Sequence, residues 1–454
     1  MNGVVAAFVW LLLAYFVVLN AAYLLLHLLA IRTLRSRVTL RPLENLPPVH
    51  RALVPPVTVI LSVRDAAGSA VGRVQAALAL DYPELEIVVV NDGSRDSTLP
   101  ELVEAFGLEG FPEVYWRRIP VKPVRTIYHS RSHRNLRVID KERGGTADAL
   151  NAGINASRYP LVIALDPRWS LRRDALREMV EPLVDEPATL AVASTVRIEH
   201  ESGGPDSELV ELPSSLLARL QVVEALREPL FARLGWGRLN AALIVSDCAL
   251  LLRKDCVVDA GGFRTDMLEE QMELVARIHR IARDKGERYL IDVVPDPVCW
   301  KPAAASLSEL RAQRMRWQVA LAQALAGNRD ILWNPPVGAP GSTAALRCLA
   351  YPFFGFFERW GPAIEVFGYV MMAAMLALGL IPGMVFVGFL ALVFALGFLV
   401  SMSGLLLEEL SFRLYPRWGQ SARLAIAAVV ENLGYRQLSA CWRLDALLRW
   451  WQAR

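Results

Sequence analysis

Val57-Thr58-Val59-Ile60-Leu61-Ser62-Val63 and Val88-Val89-Val90-Asn91-Asp92-Gly93-Ser94 decide the fold class. Each begins as a short run rich in β-branched residues, and polar turn formers follow, as where a buried strand hands over to a loop. Similar runs lie at 86–91, 137–139, 161–166 and 190–197, with helical stretches between them. That alternation predicts βαβ units, an α/β domain and a mostly parallel sheet. Such sheets bind ligands in the crevice outside the carboxyl ends of their strands, so the residues ending each run are the candidates for a site. Here they are Arg64-Asp65, Asn91-Asp92-Gly93-Ser94 and Asp166-Pro167-Arg168. Asp and Gly after a strand are also ordinary turn formers, and the pattern alone leaves both readings open.

Outward from this section the composition changes. Of 454 residues, 54% are hydrophobic and mean hydropathy is +0.31, high for a soluble enzyme and accounted for if part of the chain sits in lipid. Residues 4–31 are apolar apart from Asn20 and His27, longer than the about 20 residues that span a bilayer. A signal peptide would have a shorter apolar core behind a basic leading segment, which is missing. Arg32, Arg35, Arg37 and Arg41 follow before the first acid, Glu44, which places that flank in the cytoplasm. Residues 361–380 and 384–407, split by Ile381-Pro382-Gly383, read as a spanning hairpin with Glu365 inside it. The tail carries Arg413, Arg417, Arg423, Arg436, Arg443, Arg449 and Arg454 against Glu431 and Asp445, so it too belongs in the cytoplasm.

The expected layout is a spanning helix at 1–32, a cytoplasmic domain at 50–340, an interfacial helix plus two spans at 343–410, and a cytoplasmic amphipathic tail at 411–454. That makes a multi-pass protein of the inner or plasma membrane. Segments 344–360 and 442–451 mix aromatic with charged residues and suit either the headgroup layer or packing on the soluble domain. A net charge of +3 is too small to argue for a nucleic-acid partner. Five cysteines without a CxxC indicate neither a zinc site nor a disulfide framework and read as packing residues.

The opening strands, followed by Gly144-Gly145-Thr146-Ala147-Asp148-Ala149-Leu150-Asn151-Ala152-Gly153, Gly261-Gly262-Phe263-Arg264 and Gln313-Arg314-Met315-Arg316-Trp317, resemble the family 2 glycosyltransferases in order and spacing. The span layout and the motif Leu407-Glu408-Glu409-Leu410-Ser411-Phe412 are similar to the membrane-bound branch that includes cellulose, hyaluronan and poly-N-acetylglucosamine synthases. The resemblance implies a GT-A, Rossmann-like nucleotide-sugar domain inserted between transmembrane helices. It assigns Asp65, Asp92, Asp148, Asp166 and Arg168 to the nucleotide sugar, and Gln313, Arg314, Arg316 and Trp317 to the diphosphate and the acceptor. It also implies Mg²⁺ or Mn²⁺, which Asp166 would ligate.

Several positions depart from the family pattern. The metal-binding Asp-x-Asp reads Asp166-Pro167-Arg168, with a guanidinium in place of the second carboxylate. The general base position in Glu270-Gln271-Met272-Glu273-Leu274 is Gln271, an amide without useful basicity, with Glu269, Glu270 and Glu273 as neighbouring carboxylates. Thr146 replaces a lysine near the nucleotide, Ser62-Val63-Arg64-Asp65-Ala66 replaces the usual Pro-Ala-Tyr-Asn-Glu, and Ser246-Asp247-Cys248 replaces a frequent Ser-Gly-Ala. The expected function is inverting transfer of a sugar from a nucleoside-diphosphate sugar, such as a UDP-sugar, to a glycan or lipid acceptor. The alternative is a catalytically inactive subunit that assembles with an active polysaccharide synthase.

Overall fold

The computed structural model describes residues 3–40, 54–112, 115–166, 168–199, 211–286, 288–333 and 342–452, the side chains of 36–40, 229, 342 and 343 excepted. Arg41, Glu44, Pro167, Arg454 and the expected domain limits at 50 and 340 therefore lie outside the described residues, as does the side chain of Arg37.

One sheet carries the soluble section. Its strands are β1 (Val57–Val63), β2 (Leu85–Asp92), β3 (Leu108–Phe111), β4 (Val124–Ser130), β5 (Leu136–Lys141), β6 (Leu161–Leu165), β7 (Ser170–Leu171), β8 (Thr189–Ile198), β9 (Leu250–Arg253) and β10 (Leu290–Lys301). They lie in the order β3-β4-β5-β2-β1-β6-β9-β8-β10-β7. The side chains of β2, β5 and β6 are buried along their whole length, and those of β1 nearly so, which is why these strands read as runs of apolar residues rather than alternating ones.

The expectation of a mostly parallel sheet needs correction. β5, β2, β1 and β6 pair in parallel, as do β8 and β10, but β9 enters antiparallel between β6 and β8, and β3, β4 and β7 also pair antiparallel. With β9 opposed to both neighbours, β8 and β10 run in the same direction as β1, β2, β5 and β6. Their carboxyl ends therefore share one edge with the start of β9. Asp65, Asp92, Lys141, Asp166, Asp247 and Lys301 all follow from that topology.

The helices Gly3–Leu40, Gly361–Ala377 and Gly383–Ser411 make the apolar part. Residues 3–35 and 383–411 are long and apolar enough to cross a membrane, and Leu346–Arg359 with Gly361–Ala377 form a pair bent by 45° that together make a third candidate span. The first helix runs beyond the expected limit at residue 32, to Leu40.

These helices are fastened to the sheet domain. His27 bonds through Nδ1 to Ser403 Oγ at 2.7 Å and through Nε2 to the Arg227 carbonyl at 2.9 Å. A Cβ at Gly235 would lie 2.4 Å from the Leu26 carbonyl oxygen, so only glycine permits that approach. Arg227 is ion-paired with fully buried Glu431, which also accepts from Ser401 Oγ at 2.8 Å. Arg197, near the end of β8, meets Glu408 of the helix Gly383–Ser411 at 2.8 Å, with both side chains buried. The tail helix Arg436–Gln452 packs on the helix Leu307–Gly327, with Arg443 Nε donating to Gln318 Oε1 at 2.6 Å and Arg311 Nη2 to Asp445 Oδ2 at 2.8 Å. This realises the packing reading of 442–451, although Trp451 stays exposed. Cys248 and Cys299 are buried as packing residues, whereas Cys348 and Cys441 are exposed and fill no core position.

Candidate functional site

The site grows from the shared strand edge. β2 ends in Asp92, whose Oδ1 accepts from Gly144 N and Oδ2 from Gly145 N, each at 2.8 Å. These bonds fold the glycine loop back over the strand end before the helix Thr146–Ala156 begins. A Cβ at Gly144 would sit 2.4 Å from Asp148 Oδ1, and Gly145 has φ +92°, so two glycines in succession are required. Lys141, at the end of β5 and fully buried, lies between the two acids, 3.0 Å from Asp92 Oδ1 and 2.6 Å from Asp148 Oδ1. Asp148 also accepts from Lys122 N at 3.1 Å. Asp92 and Asp148 are thus brought together, but as buried supports of the loop.

Asp65 lies beside them on the exposed side. It takes a left-handed conformation, φ 43°, its N–H donates to Ser94 Oγ at 3.0 Å, and its Oδ1 accepts from Arg95 N at 2.9 Å. The carboxylate therefore ties the loop after β1 to the turn after β2.

Asp166 follows β6. Its Oδ1 accepts from Arg168 N at 2.8 Å and Arg168 Nε at 3.1 Å, and its Oδ2 accepts from Arg168 Nη2 at 2.8 Å. Arg168 is thereby held above the ordinary guanidinium pKa, first by these bonds, with the charges of Asp166, Asp247 and Glu309 adding to them. Both oxygens that would bind a divalent ion are occupied by a cation of this chain. Among the described residues no group of three His, Cys, Asp or Glu is placed to hold a metal ion. The residues present do not fit the Mg²⁺ or Mn²⁺ that the sequence resemblance implies.

The acidic segment behaves differently from residue to residue. Glu273 is buried and ion-paired with Arg277, Nη2 to Oε2 at 2.7 Å, and Arg277 Nη2 also donates to the Gly262 carbonyl at 2.7 Å. Glu273 therefore fastens the helix Glu270–Asp284 to the glycine turn and is not available as a base. Gln271 is half-buried in the first turn of that helix. Glu270 is pushed up by burial, and the charge of Asp166 adds to this. Glu269, just ahead of the helix, is pushed up to about 7, first by burial and then by the charges of Asp247 and Glu270, with Arg316 and Lys301 opposing. Sequence reasoning treated Glu269 only as a neighbour of the base position; its environment sets it apart.

Lys301 was missed altogether. It ends β10 and pairs with Asp247 Oδ2 at 2.7 Å, and Asp247 itself has φ 55° just before β9. Burial alone would raise the Asp247 carboxyl, but Lys301, with Arg314 and Arg233, outweighs that and holds it below the usual range. A lysine followed by proline at the end of a strand is the signal that was available.

The helix Leu307–Gly327 supplies the remaining side. Gln313, Arg314 and Trp317 line a cavity with Ser246, Asp247 and Lys301, which reaches Tyr23 of the first helix and Phe353. Trp317 Nε1 donates to Ser246 Oγ at 3.1 Å, and the Arg443 guanidinium lies 5.0 Å from the centre of its ring. Arg314 is committed to Glu224, which also accepts from Tyr435 OH at 2.7 Å. Arg316 is exposed and makes no hydrogen bond or ion pair with another described residue, while its charge reaches Glu269.

Residues 58–256 match the family described as Glycosyl transferase family 2. That section carries a glycosyltransferase family 2 domain. Its curated relatives include the poly-beta-1,6-N-acetyl-D-glucosamine synthase of Staphylococcus epidermidis, 26% identical over 243 residues, 53% of this chain and 48% of that protein. The enzyme of the same name from Staphylococcus aureus strain MSSA476 is 26% identical over 262 residues, 58% of this chain and 53% of that protein. The chain thus spans about half the length of the curated relatives it matches. Among solved structures it is similar to a mannosyltransferase from Pyrobaculum calidifontis in complex with GDP-Man and Mn²⁺, with TM-score 0.53 and 20% identity over 93% of this chain and 99% of that one. That likeness establishes a GT-A fold for the glycosyltransferase section.

Proposed function

We propose that this chain is a membrane-embedded enzyme of polysaccharide synthesis that transfers a sugar from a UDP-sugar to a glycan or lipid acceptor, inverting the anomeric centre. The observation that carries the reading is Glu269, a carboxyl poised at about 7 among Asp247, Glu270, Lys301 and Arg316 at the strand-end edge. A base of that pKa is matched to taking a proton from a hydroxyl group near neutral pH. The acceptor oxygen attacks the anomeric carbon, the bond from that carbon to the diphosphate oxygen breaks with its electron pair going to the diphosphate, and the acceptor proton passes to Glu269. Asp65 and the loop braced by Asp92 and Asp148 form the nucleotide side. Gln313 and Arg316 serve the diphosphate, with Arg314 held behind them by Glu224, and Trp317 offers its ring to the acceptor sugar. The poly-beta-1,6-N-acetyl-D-glucosamine synthases among the relatives support a growing glycan as the acceptor. The arginines flanking the spans support a cytoplasmic position for the glycosyltransferase section and the tail.

The second reading, a non-catalytic subunit serving an active synthase, is favoured by the amide at Gln271. The two are separated by measuring UDP release from a panel of UDP-sugars with the full chain in nanodiscs. Release that the Glu269→Gln variant lowers at least about a hundredfold supports the enzyme. A chain that binds UDP but releases none in the presence of any acceptor supports the subunit.

A further inference from the structure

In the strand-end site, Asp166 is the one carboxylate that survives from the metal motif, and Arg168 satisfies both of its oxygens. A hard divalent cation needs free carboxylate oxygens, and a guanidinium beside them repels it. Arg168 nonetheless has capacity to spare. Its backbone N–H, Nε and Nη2 are used on Asp166, Nη1 makes no hydrogen bond with another described residue, and the side chain is 57% exposed. A fork held along one edge presents its other edge with little further loss of rotamer freedom, and that edge matches two phosphate oxygens.

Resting on the nucleotide-sugar reading above, we propose that this chain holds and neutralises the donor diphosphate without a divalent ion, through the free edge of Arg168, with Asp166 converted from a metal ligand into a positioning residue for that arginine. One guanidinium carries half the charge of a divalent cation. Arg316, an exposed cation with no partner among the described residues, makes up the difference. The two share a neighbourhood: Asp247 acts on Arg168 and on Glu269, and Arg316 acts on Glu269. Fixed guanidiniums also stabilise the charge that develops as the bond to the diphosphate breaks, since they are aimed before the reaction begins.

The test is calorimetric binding of UDP to the full chain in nanodiscs, in EDTA and in Mn²⁺. The expected Kd is the same within about twofold in both media, since no carboxylate pair awaits the ion. Arg168→Ala is expected to weaken UDP about tenfold in EDTA, and Arg168→Lys by less, because charge is kept and the fork is lost. Asp166→Asn is expected to weaken UDP in both media alike. Arg168→Asp is expected to make UDP binding depend on Mn²⁺, which a merely structural role for residue 168 would not do. Circular dichroism melts of each variant show that the exposed substitution leaves the fold intact. Wild-type binding that Mn²⁺ tightens about tenfold or more, or an Arg168→Ala variant that binds as wild type does, overturns the proposal while leaving the nucleotide-sugar reading standing. If neither wild type nor Arg168→Asp with Mn²⁺ binds UDP, the nucleotide-sugar reading fails and this proposal fails with it.

Discussion

Glu269 is where the chemistry of the proposed transfer becomes measurable. A carboxyl held at about 7 makes turnover rise with pH through that value, because only the ionised form accepts the proton. The Glu269→Gln variant should lose about 10²–10⁴ in turnover, and what remains should no longer rise across that range. The same shift affects stability. Folded Glu269 keeps its proton to about 7, whereas the unfolded chain loses it near 4.5. The unfolded state is therefore favoured increasingly as pH rises between those values, and the contribution present below 4.5 is gone above 7. Melting temperature should fall for wild type from about pH 5 to about pH 7.5, and fall less for Glu269→Gln. An equal fall in both would refute the assignment. Sequence reading reached the vacancy at Gln271 because motif spacing marks it. It could not choose among Glu269, Glu270 and Glu273, since their difference lies in burial and partners: Glu273 is spent on Arg277, and Glu269 faces Asp247.

At the level of elements, the glycine loop after β5 depends on a lysine that belongs to the strand. With Lys141 replaced by Met, Asp92 and Asp148 would remain buried with their mutual repulsion unrelieved. Breaking a buried pair in this way costs about 3–5 kcal/mol, to be read as a shift in chemical unfolding of Lys141→Met against wild type. The helix Leu307–Gly327 offers a milder test. Trp317→Ala removes the ring but touches neither Glu269 nor Arg168, so the expected result is a higher KM for acceptor, by about three- to tenfold, with UDP binding unchanged. β1, β2, β5, β6 and β8 were legible because each is a run of buried β-branched residues. β10 was not. Leu290–Lys301 contains Pro295 and Pro297, residues that argue against a strand, and its pairing with β8 shifts register between Val294 and Cys299, where the prolines are accommodated. β9 is four residues long, too short for a period to show. Missing these two strands is also why Lys301 and its pairing with Asp247 went unseen.

For the whole molecule, apolar runs were enough to mark the helices at 3–35 and 383–411 as long and apolar enough to cross a membrane, because lipid imposes a length and a composition that few soluble segments share. The boundary read between 344–360 and 361–380 falls at the bend between Leu346–Arg359 and Gly361–Ala377, where Pro362 opens the second helix. The proposed orientation predicts that exposed Cys441 reacts with a membrane-impermeant maleimide only after permeabilisation. A cysteine placed by Leu380→Cys, between the last two spans, should react in intact cells, in a background carrying Cys348→Ser. The reverse pattern would invert the molecule. The first helix has a further consequence for anyone who wishes to trim it away. Leu26 fills the hollow left by Gly235, and His27 caps the carbonyl of Arg227 while gripping Ser403 of the last span. A soluble fragment starting after residue 40 would lose a wall of its own interior, and we expect it to aggregate. The first helix is a structural organ of the sheet domain, so purification, crystallisation and display of this protein will all have to carry that apolar helix along.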